Sequence, residues 1–270
     1  MKKLAIWAGE GVLPFLIAVG AMKERPVVII AFKEFSDIPL LKRTGAPVHV
    51  ISIGQMGKNF DLLSREKASE LVMIGKFQKK FIFGKSGIDL VGLRLLLKLS
   101  NNRDMSVFKV LLGELERRGI RVISQARYLE GSITQAGFLT RKRPSASAVR
   151  DIRYGGGIAR QVADYDIGQT IVVCRGSVLS VEAYEGTNAA ISRTPDHLGK
   201  QSVVVKAGRV KQDFRFDIPS VGLKTLEVMK KKGIRTLGLE AGKTLMVGRD
   251  DFIKYADKNG IAILGFDVDR

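Results

Sequence analysis

Cysteine is almost missing from this chain of 270 residues: Cys174 stands alone, inside the apolar run TIVVCRG. One thiol cannot form an internal disulfide, which fits a reducing compartment, and its setting reads as that of a small buried hydrophobe. Histidine is nearly as scarce. His49 and His197 lie far apart in sequence, and neither sits in an H-E-x-x-H or similar ligand spacing, so zinc catalysis is not indicated. There is no G-x-S-x-G elbow and no Cys–His pattern, which removes the usual nucleophilic hydrolases. No apolar run is long and uncharged enough to span a bilayer. The N-terminus MKKLAIWAGEGVLPFLIAVGAM carries two lysines and an apolar stretch, but Gly9, Glu10, Gly11 and Pro14 interrupt it and no cleavage site follows. It reads as strand, turn and helix rather than as a signal peptide. Internal repeats and low-complexity segments are also lacking.

What the chain does have is positive charge. Lys and Arg number 45 against 27 Asp and Glu, a formal net charge of +18. Such an excess implies an anionic partner or surface, and nucleic acid is the first thought. The basic residues are spread over Lys76–Lys85, Arg117–Arg121, Arg141–Arg143 and Lys230–Lys232. They come with no RNA-binding signature, zinc knuckle or interleaved stacking aromatics. An anionic membrane face and a phosphorylated lipid suit a dispersed basic surface equally well. A basic, non-catalytic nucleic-acid-associated protein therefore stands as the alternative to an enzyme.

Taken in order, Leu4–Ala8 reads as a strand, Gly9-Glu10-Gly11 as a tight turn, and the chain from Pro14 as a helix, since proline fits a first helical turn. The third glycine of G-x-G-x-x-G is replaced by Pro14, which weakens the case for a dinucleotide enzyme of Rossmann type. The turn and helix start can still cradle a phosphate, which makes Gly9 and Gly11 substrate-binding candidates. Val27–Phe32, Val48–Ile53 and Glu70–Ile74 continue as strands, with a helix through Asn59–Arg65. Ile88–Leu99 reads as an unusually apolar helix marked by Arg94 and Lys98, and two roles stay open for it: a core helix, or a basic amphipathic face that meets lipid. Met105–Arg118 is a helix closed by Gly119, and Ile120–Ser124 the next strand. From Tyr128 to Pro144 the pattern dissolves into turn residues. The fold class expected is α/β with two domains: an N-terminal Rossmann-like parallel sheet over residues 1–130, a linker over 131–146, and a C-terminal mixed α/β catalytic domain over 147–270. In the second, Gly155–Gly157 can bind phosphate or form a hinge, and reads most simply as a turn between two helices.

The most informative stretch runs from Val181 to Gly222. A strand through SVLSVEAYE would send Glu182 and Glu185 to opposite faces, and Gly186 permits a tight turn with exposed amides. Val203–Val205 reads as a buried strand that delivers Lys206 to its end. Gln212, Asp213, Arg215 and Asp217 follow in an extended run that Pro219 stops. In that conformation Asp213 and Asp217 share a face roughly 13 Å apart, at about 3.3 Å per residue. A bulge or turn between them would be needed for both to bind one ion; with Glu182 or Glu185 nearby they could then hold Mg²⁺ beside substrate phosphates, with Lys206 and Arg215 supplying positive charge. Solvated strand edges and salt bridges explain the same residue types.

The blocks GQTIVVCRGSVLSVEAYEGTNAAISR (Gly168–Arg193) and VVVKAGRVKQDFRFDIPSVGLKT (Val203–Thr225) resemble the LpxI family. LAIWAGEGVLP (Leu4–Pro14) and LGLEAGKTLMVGRDDFIKYADKNGIAILG (Leu237–Gly265) are similar to it too. The resemblance implies a Mg²⁺-dependent pyrophosphatase of lipid A synthesis. Such an enzyme hydrolyses UDP-2,3-diacylglucosamine to UMP and 2,3-diacylglucosamine 1-phosphate (lipid X), with substrate held between two domains. It also implies a cytoplasmic enzyme, peripheral at the anionic inner face of the inner membrane and not bound to nucleic acid; a homodimer is a further expectation. Asp217, in the block that matches the family's R-x-D-x-P-x-x-G pattern, is the first choice for the catalytic and metal role. Asp213, Glu182 and Glu185 come next for metal or water. Lys206 and Arg215 are expected on phosphate, and Gly186, Thr187, Gln169 and Gln212 around the substrate. Where the family often has aspartate after EGT, this chain has Asn188, which can bind substrate by hydrogen bonds but can carry no charge.

Overall fold

A computed structural model of the chain describes residues 2–77, 87–99 and 104–268. Two compact units emerge, Met1–Leu129 with Asp213–Asp217, and Glu130–Gln212 with Ile218–Arg270. The first is built from β1 (Lys3–Ala8), α1 (Leu13–Met22), β2 (Val27–Phe32), α2 (Ile38–Lys42), β3 (Val48–Ile51), α3 (Met56–Arg65), β4 (Ala68–Ile74), α4 (Leu90–Leu97), α5 (Asp104–Arg117) and β5 (Arg121–Val122). Its strands form one sheet in the order β3-β2-β1-β4-β5, and every pairing is parallel. Near-continuous apolar strands such as VVIIAF suit a parallel sheet covered on both faces. Trp7, Phe32, Phe60, Leu71, Phe108 and Leu115 fill one side of it, while Ile17, Ala18 and Ala21 of α1 are fully buried.

The turn after β1 has its own geometric cause. A Cβ on Gly9 would lie 2.7 Å from the Gly75 carbonyl carbon. The backbones of Glu10 and Lys76 form an antiparallel bridge beside it. Only glycine lets the two loops that follow β1 and β4 come so close. Gly11, at φ +102°, completes the turn into α1.

The second unit comprises β6 (Gly137–Phe138), α6 (Ala146–Asp164), β7 (Thr170–Cys174), β8 (Ser177–Val181), α7 (Thr187–Ser192), β9 (Ser202–Lys206), β10 (Ser220–Val221), α8 (Leu223–Lys231), β11 (Thr236–Glu240), β12 (Leu245–Met246), α9 (Arg249–Lys258) and β13 (Ala262–Phe266). Six strands make a mixed sheet ordered β6-β13-β11-β9-β7-β8. β13, β11 and β9 run parallel, and β6, β7 and β8 join antiparallel. β10 and β12 pair separately. α6 covers one face over Ile171, Val173, Val203, Val205 and Phe266. Val172, Val204, Leu237, Leu239 and Ile263 pack on the other face with Leu226, Met229 and Phe252 of α8 and α9. The α/β class, with a parallel first sheet and a mixed second one, is the class expected.

Several local expectations change. Gly155–Gly157 does not break a helix: α6 runs unbroken from Ala146 to Asp164. A Cβ on Gly155 would meet Val173 at 2.8 Å and Val205 at 3.0 Å, and one on Gly156 would meet the Phe266 ring at 2.4 Å. These glycines let the helix axis approach the sheet. The strand through Glu185 ends earlier, at Val181, because Gly186 (φ +84°) starts the helix α7 that alternation could not reveal. Asp213–Asp217 is not extended. A Phe216 N–H to Asp213 carbonyl bond closes a turn there, and Asp217 sits at φ +45°. α4 buries Gly92 and Leu95 but leaves Leu90, Leu93 and Leu97 exposed. Within the reading of Phe77–Leu99 and of the basic run Lys76–Lys85, positions 78–86 lie outside the described residues. Among the described residues no helix is long and apolar enough to cross a membrane.

Candidate functional site

Sheet register assembles the first cluster. β9 carries Lys206 opposite Thr170 of β7, and β8, paired to the other side of β7, ends just before Glu182. Gly186 then turns the chain so that α7 begins at Thr187. The Lys206 ammonium, 3% exposed as a residue, donates to Thr170 Oγ1 at 3.0 Å and Thr187 Oγ1 at 2.9 Å, and faces Glu182 Oε2 at 3.5 Å. Glu182 Oε1 accepts from the Thr187 hydroxyl at 2.8 Å, and Oε2 from the Gln169 N–H at 3.2 Å. Burial pushes the Glu182 carboxyl up. The Lys206 charge and the bonds from Thr170, Thr187 and Gln169 outweigh it and hold the pKa below its ordinary value. Next to them Asn188 Oδ1 accepts from the Thr225 hydroxyl at 3.1 Å, so the side chain that follows EGT is held as a neutral acceptor.

Glu185 points elsewhere, to an ion pair with Arg193 that lowers its pKa. Gln212 Oε1 accepts from the Arg209 N–H at 3.1 Å. Gly9 is used for backbone approach to Gly75, as described, and Gly186 for the turn into α7.

Asp213, Arg215 and Asp217 belong to the first unit. Arg215 grips Asp213 with two parallel bonds, Nε to Oδ1 at 3.0 Å and NH2 to Oδ2 at 2.8 Å, while its N–H reaches Oδ1 at 2.9 Å. That grip, more than the opposing burial, lowers the Asp213 pKa and raises that of Arg215. Asp217 is the last residue of the loop, in the left-handed region where L-residues other than Asn and Asp rarely sit.

Magnesium needs near-octahedral oxygen ligands. Among the described residues no three His, Cys, Asp or Glu side chains come together to hold an ion. Glu182, Glu185 and Asp213 each face a lysine or arginine instead.

Thr170 and Thr225 carry no local signal in the sequence; only strand pairing and the packing of α7 on α8 bring them in. A second buried set has no local signal in the sequence either. Glu240, 2% exposed, takes Arg160 at 2.5 Å, Lys243 at 3.0 Å and the Gly208 N–H at 2.8 Å. A cavity of about 220 Å³ against Phe138, Val149, Arg153 and Phe266 lies elsewhere in the second unit and includes none of these groups.

Comparison with known proteins gives the family. Residues 3–132 match the LpxI N-terminal domain and residues 135–264 the LpxI C-terminal domain. The chain is 32% identical to the UDP-2,3-diacylglucosamine pyrophosphatase LpxI of Caulobacter vibrioides, over 99% of this chain and 98% of that protein. Two solved structures are similar at lower identity. A UDP-glucose-4-epimerase from Stenotrophomonas maltophila, with bound NAD and formylated UDP-arabinopyranose, is 19% identical over 44% of this chain and 34% of its own, with a TM-score of 0.28. The biotin carboxylase domain of Hydrogenobacter thermophilus 2-oxoglutarate carboxylase is 14% identical over 65% of this chain and 35% of its own, with a TM-score of 0.26. The alignments thus span about a third of those two chains, and neither likeness carries an argument. Both domain models in sequence order, and a relative matched almost end to end, place one conclusion beyond the motifs alone: this chain belongs to the LpxI family.

Proposed function

We propose that the protein hydrolyses the pyrophosphate of UDP-2,3-diacylglucosamine to UMP and lipid X. The observation that carries the reading is the end-to-end match to a relative named for that activity. The chemistry asks for little: water attacks one phosphorus, the bridging P–O bond breaks, and a base takes the water proton. Asp217 is the base in this reading, held in a fixed turn beside the ion-paired Asp213 and Arg215. The Lys206 cation fixes Glu182 and Thr187 at the start of α7, and Gly186 and Thr187 are proposed as phosphate-side hydrogen-bond donors. Magnesium dependence is part of the proposal. In this proposal the ion arrives on the diphosphate, as Mg²⁺ commonly does.

The proposal extends to location at a cytoplasmic membrane face. On α4, Leu90, Leu93 and Leu97 are 74%, 48% and 78% exposed, on the same helix face as Arg94 and Lys98. Three exposed leucines flanked by two cations on one side suit the headgroup boundary of an anionic bilayer.

The test is hydrolysis of UDP-2,3-diacylglucosamine in Mg²⁺ buffer, with EDTA and Asp217→Asn controls and mass-spectrometric detection of products. UMP and lipid X should appear with wild type, fall below detection with EDTA, and drop by at least ~10²-fold in the variant, the scale of a lost general base. No hydrolysis with any divalent metal would overturn the activity. Undiminished hydrolysis by Asp217→Asn would overturn only the role of that residue.

A further inference from the structure

The loop Asp213–Asp217 is fastened with more care than a surface turn needs. Phe216 lies stacked on Phe108 of α5, ring centroids 4.8 Å apart and planes 17° from parallel. Phe108 is itself 3% exposed. Gln125, 5% exposed, holds the loop from the other side. Its N–H donates to the Phe214 carbonyl at 2.8 Å. Its side-chain amide donates to the Met73 carbonyl at 2.6 Å and to the Arg215 carbonyl at 3.4 Å. Met73 belongs to β4, so one amide ties the loop to a central strand.

The next residue takes the consequence. Ile218 precedes Pro219, and proline disfavours the helical region for the residue before it. With Phe216 anchored and Ile218 confined to extended geometry, the reversal falls on Asp217, which sits at φ +45°. A residue in that region persists only where its surroundings over-determine it.

We infer that Phe216 and Gln125 are positioning residues that hold Asp217 in its one reactive orientation. The inference rests on the reading above, in which Asp217 accepts the proton of the attacking water. A plain packing role for Phe216 makes a different statement: stability falls, and the rate per folded molecule does not.

The experiment measures kcat and KM for UDP-2,3-diacylglucosamine with the full-length Phe216→Ala, Phe216→Leu, Phe216→Tyr and Gln125→Met variants, alone and combined with Asp217→Asn. A base displaced by about 1 Å loses on the order of 10²-fold in kcat, with KM changed by less than roughly threefold. That loss is expected for Phe216→Ala and Gln125→Met, with recovery in Phe216→Tyr, whose ring keeps the stack. In the Asp217→Asn background Phe216→Ala should cost nothing further, because the group it positions is gone. Wild-type kcat in Phe216→Ala, or the same fold-loss with and without Asp217, would overturn the inference. Should Phe216→Ala fail to fold, Phe216→Leu and Gln125→Met decide by the same criteria. Full activity of Asp217→Asn removes Asp217 as the base, and the positioning role with it, while the hydrolysis itself stands. An inactive Asp217→Asn beside a fully active Phe216→Ala removes the positioning role alone.

Discussion

Lys206 shows what a single buried charge controls. With Thr170, Thr187 and Glu182 around its ammonium, Lys206→Met leaves the Glu182 carboxylate buried without its counter-ion, a loss of about 3–5 kcal/mol. Urea unfolding at neutral pH measures it, and adding Glu182→Gln should return part of the loss. The same pair fixes a pH dependence. Glu182 is held below its ordinary pKa, so it contributes stability that is full above the unfolded carboxyl value of about 4.3. That contribution disappears as pH falls through the lower folded value. Wild type should therefore lose stability on acidification more steeply than Glu182→Gln; parallel slopes would contradict the pairing. Lys206 was legible in the sequence because three valines mark the strand that ends on it. Its partner Thr170 was not, since the antiparallel pairing of β7 with β9, and not any spacing along the chain, delivers it; Thr187 was named from the EGT block, but not as a partner of Lys206. Asp217 was legible by its family block, but its left-handed backbone depends on Phe108 and Gln125, roughly a hundred positions away in sequence.

At the scale of an element, α6 contains three adjacent glycines with different jobs. A methyl on Gly156 would press into the buried Phe266 ring at 2.4 Å, whereas one on Gly157 meets nothing within 4 Å. Gly156→Ala should destabilise by about 1–3 kcal/mol, as overpacking does. Gly157→Ala should stabilise by about 0.5–1 kcal/mol through a less flexible unfolded chain. Thermal unfolding of the two variants checks the opposite signs. From the sequence a glycine run signals a break, because propensity is local. Close contact with Val173, Val205 and Phe266 stabilises the helix enough to override it. The long apolar strands were easier to read, since burial on both faces leaves an unbroken hydrophobic signature. Short α7 had none: six residues give too little periodicity to separate a helix from the strand before it.

For the molecule as a whole, the net charge of +18 and the leucine face of α4 combine into one expectation. The protein should sediment with vesicles of equimolar phosphatidylcholine and phosphatidylglycerol and not with phosphatidylcholine alone. Each basic residue near such a surface adds about 1 kcal/mol, and the attraction should fade near 1 M salt, where the Debye length is about 3 Å. Leu93→Gln with Leu97→Gln should weaken sedimentation at every salt concentration. Equal binding to neutral and anionic vesicles would contradict the charge argument. Composition made the positive surface plain; which leucines stay uncovered depends on the packing of α4 against α3, which composition cannot show.

The membership of Asp213–Asp217 in the first unit also sets a timetable for synthesis. The ribosome completes residues 1–129 early, yet the segment whose Phe216 covers Phe108 emerges only after residues 130–212. At ~5–20 residues per second that interval is about 4–17 s. Throughout it Phe108 waits without the ring that stacks on it in the finished fold.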